Sequence, residues 1–596
     1  MKKSRFSFYP NNLKNEFLNS KSTSMISTLR DKTWDYPSLI FPLVEKKLST
    51  ARVAYNSMKP ISGIIVVLVF MFGILFGVSA LPSIVQFPTR LELTEGVLGV
   101  PDDLSPIYIP EFQVQKDFYA LAFNTLFRVN RDGGIIGDLV ESWEYKEGGK
   151  EIHLKLKDGV TWHDGEEFSA SDVKFTINLF KNLKGQESYF DTVENVEVEV
   201  VSNLELVLKL ERTSASFLET IIWPVLPEHI LQDVPINELE YSSFGQKPIG
   251  TGPFMLSVWR GDEIELKRNE SYFEGMPELK KITLKSFPSE KELVGALLTG
   301  KIDTSAEITS ETISEIKGES WVGIENIPMI KRNWSVYFNF NGPEILRDKR
   351  MRQALSSAIN RNKIIRDGLE EFGIESTGPI PETSWAYNPD AKRYTFNLEE
   401  ANKLFGELGD IRPEGGEFLQ KDGVVLEIQL AYVSNPVQDK VAESIKKDWE
   451  SMGVKTNIVG LDYKTFRDTL LIPRSFDTIL FGVETLLDPD HFRLWHSSQI
   501  SPPGRNFASY KSSYAVLDEL NRVDELLDKG RSTLDQNERA DAYKRFQGYL
   551  LDEVPAAFLY HPSFIYVYNK RVTGIDISET SAPEDRFRSV LNWKVE

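Results

Sequence analysis

The stretch LEIQLAYVSNPVQDKVAESIKKDWESMGVKTNIV, Leu426 to Val459, reads as a strand, a helix and a second strand. Leu426, Ile428, Leu430 and Tyr432 alternate with period two, as one face of a strand does. Val441, Ile445 and Trp449 then recur every four residues and share one helical face. Gly453 ends that helix. Val454–Val459 is the next strand and Phe476–Phe481 another. The order β-α-β-α-β predicts a mostly parallel sheet covered by helices.

Working outward, Met351, Leu355 and Ile359 predict a helix with one buried face. A helical pair is expected further on, Tyr514–Lys529 ended by Gly530 and Asp535–Leu551 capped by Thr533. Residues 150–210 have a different period. Ile152, Leu154 and Leu156 alternate, as do Val196, Val198 and Val200, and Leu206, Leu208 and Leu210. These are half-buried antiparallel strands. Between them Ser169-Ala-Ser-Asp172 is a capping box opening a helix through Phe180. Two α/β bodies in one chain predict a cleft between lobes, a common place for ligands.

Residues Ile61–Val85 form a long apolar run, and no charge occurs between Lys59 and Arg90. About 20 helical residues cross a bilayer core of roughly 30 Å, so this run is expected to span a membrane. Residues 1–60 hold 11 Lys+Arg against 4 Asp+Glu, and the remainder holds 58 against 84. Basic residues beside a span favour the cytoplasmic side. The expectation is therefore a single-pass protein of a prokaryotic cell membrane. A basic tail (1–60) lies inside, a transmembrane helix covers 61–85, and the main body lies outside, after a linker marked by Pro82 and Pro88. Val78-Ser79-Ala80 leaves open cleavage after Ala80. Tyr36–Tyr55 reads as either a short amphipathic helix or part of a solvated tail. The 596 residues include no cysteine, which removes disulfides and a thioether-linked lipid anchor. The net charge of −19 argues against nucleic acid or anionic lipid as a partner.

Motifs for catalysis are missing. Gly295–Lys301 is one residue short of a phosphate-binding loop, and Ile302 stands where a hydroxyl is needed, so a helix cap explains its glycine. Gly250-Thr-Gly252 lacks the third glycine of a dinucleotide turn. The six histidines form no H-E-x-x-H, and there is no G-x-S-x-G elbow. No enzyme activity, cofactor or metal is expected, which points to a binding protein.

Several segments in order resemble the peptide-type solute-binding proteins of ABC importers, family 5. Gly137-Asp-Leu-Val-Glu-Ser-Trp143 resembles "L-A-E-S-W". Leu156-Lys-Asp-Gly-Val-Thr-Trp-His-Asp-Gly165, with Phe168 and Asp172-Val173, is close to the family's most recognisable stretch. Pro248-Ile-Gly-Thr-Gly-Pro-Phe254, Leu266-Lys-Arg-Asn269 and Tyr272-Phe273 are similar to "V-G-T-G-P-Y … L-x-R-N-x-x-Y-W". Gly300-Lys-Ile-Asp303 resembles "S-G-E-I-D", and Phe338-Asn-Phe-Asn341 with Arg350–Ile365 resembles "F-N … V-R-Q-A-L-x-x-A-I-D-R". Pro379–Pro389 and Ala557–His561 also fit, and the likeness runs from about Leu93 to Gly574.

The resemblance implies an α/β, two-lobed periplasmic-binding-protein clamshell of type II, peptide-type. Lobe I would comprise 90–332 completed by 553–596, and lobe II 333–552, hinged near Trp334–Phe338 and Ala556–Tyr560. It implies a monomeric receptor that carries peptides, or a similar small polar solute, to an ABC permease and its ATPase. The alternatives are a sensing surface receptor without transport and a non-peptide solute such as a nickel chelate, oligosaccharide or haem. Carried over by position, Trp334, Tyr337 and Tyr560 would wall the ligand site or else form hinge core, and the backbone at Gly96 and Val97 would contact the ligand. The segment Leu480–Asp490 is where peptide receptors carry an acid for the ligand's α-ammonium. It is one residue shorter here, and Glu484 is the nearest substitute, with a solvated loop acid as the other reading. Asp488 and Asp490 would shape the turn into a helix at His491.

Overall fold

The sequence AAFLYHPSFIYVYN, Ala556–Asn569, is rich in aromatic and branched residues, which suit a pleated surface, and it forms one 14-residue strand. Its first part pairs antiparallel with Arg332–Phe338, its middle with Gly373–Glu375, and its end with Val322–Pro328 and Thr304–Ser305. Through it twelve strands join in one continuous sheet. The computed structural model describes residues 91–130, 133–183, 191–409, 416–511, 522–578 and 580–596. They belong to one compact unit, Pro88–Glu596. The expected tail 1–60, the membrane helix 61–85 and the Ala80 site lie outside the described residues. Among the described residues no helix is long and apolar enough to cross a membrane.

The buried side chains gather around two ends of that sheet. At one end Leu93, Phe118, Phe127, Ile152 and Trp162 share a core with Phe587, Trp593 and Val595 from the C-terminus. Here Glu92–Leu98 runs parallel to Lys281–Phe287 on one side and to Thr304–Ser305 on the other, followed outward by Glu263–Arg268 and Phe254–Arg260. A separate antiparallel sheet pairs Val140–Lys146, Glu151–Leu156, Glu205–Lys209 and Glu197–Ser202 in that order. The helix Ala170–Asn182 beside it begins at the Ser169/Asp172 capping box.

At the other end Glu427–Val433 lies parallel to both Lys455–Leu461 and Thr478–Glu484. The helix Pro436–Ser451 packs Val441, Ile445 and Trp449 against this sheet, and the Asn435 side chain caps it by accepting from the Gln438 N–H. This is the parallel α/β body read from Leu426–Val459. The segments expected to hinge, Trp334–Phe338 and Ala556–Tyr560, pair inside this second body. The crossings fall just outside them, at Met329–Lys331 and at His561–Ser563.

Three local readings change. The helix Arg522–Ser532 runs through Gly530. A Cβ there would stand 2.5 Å from the Tyr543 ring, so the glycine allows two helices to approach and does not terminate one. Residues 512–521 of the expected helix lie outside the described set. The next helix, Gln536–Glu553, is capped by Asp535, whose carboxylate accepts from Glu538 N–H, and not by Thr533. Gly96 and Val97, whose backbone is expected to contact the ligand, lie on an inner strand and are buried between neighbouring strands.

The C-terminus is drawn back onto the first strand by charge. Arg586 forks onto Asp117 at 2.8 and 2.6 Å and reaches Glu95 at 3.0 Å, and all three side chains are 0% exposed. Tyr566 and Thr304 hydroxyls donate to the same Glu95 carboxylate. Burial works against the Arg586 charge, but Asp117 and Glu95 outweigh it and hold the guanidinium protonated. Arg571 and the Thr94 N–H meet in the same way on Asp303, from Gly300-Lys-Ile-Asp303.

Glu307 sits beside this cluster, accepts the Leu98 N–H, and is pushed up to about 7 chiefly by burial. A carboxyl raised above its unfolded value contributes stability below that value and loses it as pH rises through the folded one. Glu307→Gln removes the titration and keeps the acceptor. The variant should therefore gain on wild type by about 2–3 kcal/mol between pH 5 and 8, measured by chemical denaturation. A pH-independent difference would contradict this assignment.

Candidate functional site

A cavity of about 510 Å³ opens in the first body and reaches the hinge. Its floor is set by Pro248–Phe254. The backbones of Gly250 and Gly252 press on Ala122–Phe123: a Cβ on Gly250 would lie 1.9 Å from the Ala122 carbonyl oxygen. Only glycine permits that approach, and it fixes the turn that presents Phe123 and Asn124. Asn124 donates to Asp138 at 3.0 Å and to the Tyr272 hydroxyl at 3.0 Å, and accepts from Thr251 at 3.1 Å. Asp138 also takes the Thr125 N–H at 2.9 Å and pairs with Arg128, which reaches Glu274 at 3.1 Å. Burial and then the Asp138 charge raise Tyr272 well above the usual phenol range, so its hydroxyl stays neutral. Tyr108, Tyr119, Trp223 and Phe587 supply aromatic walls. The result is a half-apolar cleft with a fully bonded polar floor, suited to a small solute with both characters.

The hinge end is charged. Glu484 closes the strand Thr478–Glu484 and stands directly opposite Arg332 in the antiparallel register, and their side chains pair at 3.1 Å. Burial would raise the Glu484 carboxyl, but Arg332, Lys331 and Lys116 outweigh it and hold it below the usual range. Lys331, Lys116 and Glu219 line the same end.

The two bodies close on each other here. Glu219 is 6% exposed, and its carboxylate accepts the N–H groups of Leu487 at 2.7 Å and Asp488 at 2.8 Å. The Ser216 hydroxyl donates to Asp490 at 2.7 Å, and Ala215 N–H to the Arg531 carbonyl at 2.8 Å. Leu487 packs with Val129 and Ile330. Asp488 forks onto Arg539, and Asp490 accepts the Phe492 N–H, shaping the turn into helix Phe492–Trp495 as its position suggested.

Residues 134–500 match the family described as bacterial extracellular solute-binding proteins, family 5. The chain belongs to that family. It is 28% identical over 489 residues to the oligopeptide-binding protein AppA of Bacillus subtilis, covering 79% of this chain and 86% of that one. It is 27% identical to the dipeptide-binding protein of Escherichia coli, covering 74% and 83%. Among solved structures, NikZ of Campylobacter jejuni in complex with Ni(L-His) superposes with a TM-score of 0.68 at 28% identity, covering 85% of this chain and all of that one. AppA of Bacillus subtilis with a nonapeptide gives 0.66 at 25% identity, with the same coverage. Family 5 proteins are extracytoplasmic, two-lobed and not enzymes.

In this family 5 protein only Glu484, of the residues singled out from sequence, lines the cavity. Trp334 is half-buried and stacks on Tyr560, with ring centroids 6.1 Å apart and planes at 15°. Tyr560 is 1% exposed, and its hydroxyl is engaged by Gln438 at 3.1 Å. Tyr337 is also 1% exposed, packed between Trp495 and Phe507, so it serves as core. Gly96 and Val97 are buried in the sheet away from the cavity. Of the other residues that line it, Asp138 and Tyr272 sit in the Gly137–Trp143 and Pro248–Phe273 motifs, and Asn124, Arg128 and Trp223 lie outside every quoted motif. From sequence alone those motifs mark the family and not the site.

Glu219→Ala should loosen the closed form. A carboxylate–amide bond is worth about 1.5–3 kcal/mol, and the freed N–H groups find water only when the lobes part. Small-angle scattering of the unliganded variant should show a larger radius of gyration than wild type. An unchanged radius would mean that the contact does not hold the lobes.

Proposed function

We propose that this protein is a membrane-held extracytoplasmic receptor. It closes its two lobes around a peptide, or a similar small polar solute, and delivers it to an ABC import permease. The observation that carries the reading is the half-polar cavity at the hinge, with cross-lobe bonds at its margin. The jaws are 91–328 completed by 564–596, and 332–560, joined by the crossings at Met329–Lys331 and His561–Ser563. A ligand favours the closed form only by binding it better than the open one. Closure here creates the Glu219, Ser216 and Ala215 bonds, and the permease reads that state. Peptide binding draws support from AppA and the dipeptide-binding relative.

The run Ile61–Val85, with its basic inner flank, supports anchoring by a helix. Without a cysteine to lipidate, that helix takes the place of a lipid tether. It keeps the receptor at high local concentration beside its permease.

Mass spectrometry of solute co-purified with the full chain, followed by thermal-shift measurements across a peptide library, tests the reading. Small peptides should be recovered and should raise the melting temperature. Neither a co-purified peptide nor a shift with any library member would overturn the peptide assignment.

A further inference from the structure

The charged side chains of the cavity fall into two groups. Most already have partners within the protein. Arg128 is held by Asp138 and Glu274, Arg588 by Asp585 at 2.7 Å, Glu584 by the Gln113 amide at 3.1 Å, and Glu274 by Lys157 at 3.0 Å. At the hinge end Glu484 is taken by Arg332, and Glu219 by two backbone N–H groups. Lys116 and Lys331 differ. Each lines the cavity and is partly buried, yet among the described residues neither ammonium makes a hydrogen bond or a close ion pair.

The two lysines come from different elements. Lys116 lies on the helix Gln113–Ala122, and Lys331 on the crossing just before Arg332–Phe338. Both line the end of the cleft that Glu484 and Glu219 also line; both act on the charge of Glu484, and Lys331 acts on that of Glu219 as well. The Lys331 main chain is fixed, because its carbonyl accepts the Thr485 N–H at 2.9 Å. Closure removes water from around both groups. A desolvated ammonium that makes no hydrogen bond is unfavourable, and a carboxylate that reaches both gains charge-assisted bonds. Glu484, already in a pair, offers little to a ligand's ammonium.

We propose that the hinge end of the cavity seats a carboxylate of the ligand between Lys116 and Lys331, and that a free amine is not the anchoring group. The inference rests on the cavity being the solute site, and it narrows the ligand to small acids. A peptide meets the requirement by its C-terminal carboxylate or by an acidic side chain.

Calorimetry on the full-length protein would use tri-alanine, its N-acetyl form, its C-terminal amide, and Ala-Ala-Glu amide. Tri-alanine and its N-acetyl form should bind alike. Amidation should weaken binding about tenfold or more, the worth of one charged hydrogen bond. Recovery with Ala-Ala-Glu amide would show that a side-chain carboxylate also serves; no recovery would confine the seat to the C-terminus. In Lys116→Met/Lys331→Met the cost of amidation should vanish, and Lys331→Arg should restore part of it, which also shows that the site still folds. Equal affinity of tri-alanine and its amide, or loss of binding on N-acetylation alone, would overturn the proposal. If no peptide binds, the peptide reading fails separately. Succinate and citrate then decide: a lysine-dependent thermal shift sustains the carboxylate seat, and no shift rejects it.

Discussion

Arg586 holds its positive charge in the protein interior only because Asp117 and Glu95 are buried beside it, and neither acid could be buried alone. The ion cluster joins the C-terminal segment to the first strand and first helix. Its strength lies in what breaking it would cost, since an unpaired buried charge is far worse than a missing pair. The chain must therefore return, and the second body becomes an insertion between two crossings. One of them lies within the single strand Ala556–Asn569, which belongs to both sheet ends. A hinge made of two covalent crossings, with cross-lobe bonds at the rim, follows from where the chain ends are pinned.

The cleft inherits its geometry from the same arrangement. The helix Gln113–Ala122 carries Asp117 into the cluster and Lys116 onto the cavity wall. The Gly250–Gly252 turn fits under that helix's end and sets Asn124 on the floor. The strand that opens the second body begins at Arg332, so the antiparallel register alone brings Glu484 to its guanidinium. Solute recognition and the integrity of the first lobe thus share elements, and few substitutions at the hinge can be neutral to both.

Much of the fold was legible in sequence. The period change between residues 150–210 and 426–481 separated an antiparallel sheet from a parallel α/β body, because alternation and four-residue spacing each follow from backbone geometry. Helix ends were less so. Gly530 looks like a stop in one dimension, yet it is a contact point between two helices, and only the position of Tyr543 reveals that. The cavity lining is the least legible part. Trp334, Tyr337 and Tyr560 are aromatics near the hinge, and pairing within the sheet buries Tyr337 and Tyr560 and leaves Trp334 half-buried against Tyr560. Glu484 was placed at the cavity, but its partner depends on a strand more than a hundred residues away. Asn124, Asp138 and Tyr272 are brought together by the fold, and no local pattern marks them as one floor.

On the proposed function, solute binding closes the lobes at the Glu219 margin. Hydrogen exchange at the amides of Leu487 and Asp488 reads this directly, since the Glu219 carboxylate covers them only when the lobes meet. With saturating ligand both amides should exchange far more slowly than in the unliganded protein, and the slowing should be lost in Glu219→Ala. Equal exchange with and without ligand, in a protein shown to be saturated, would contradict it.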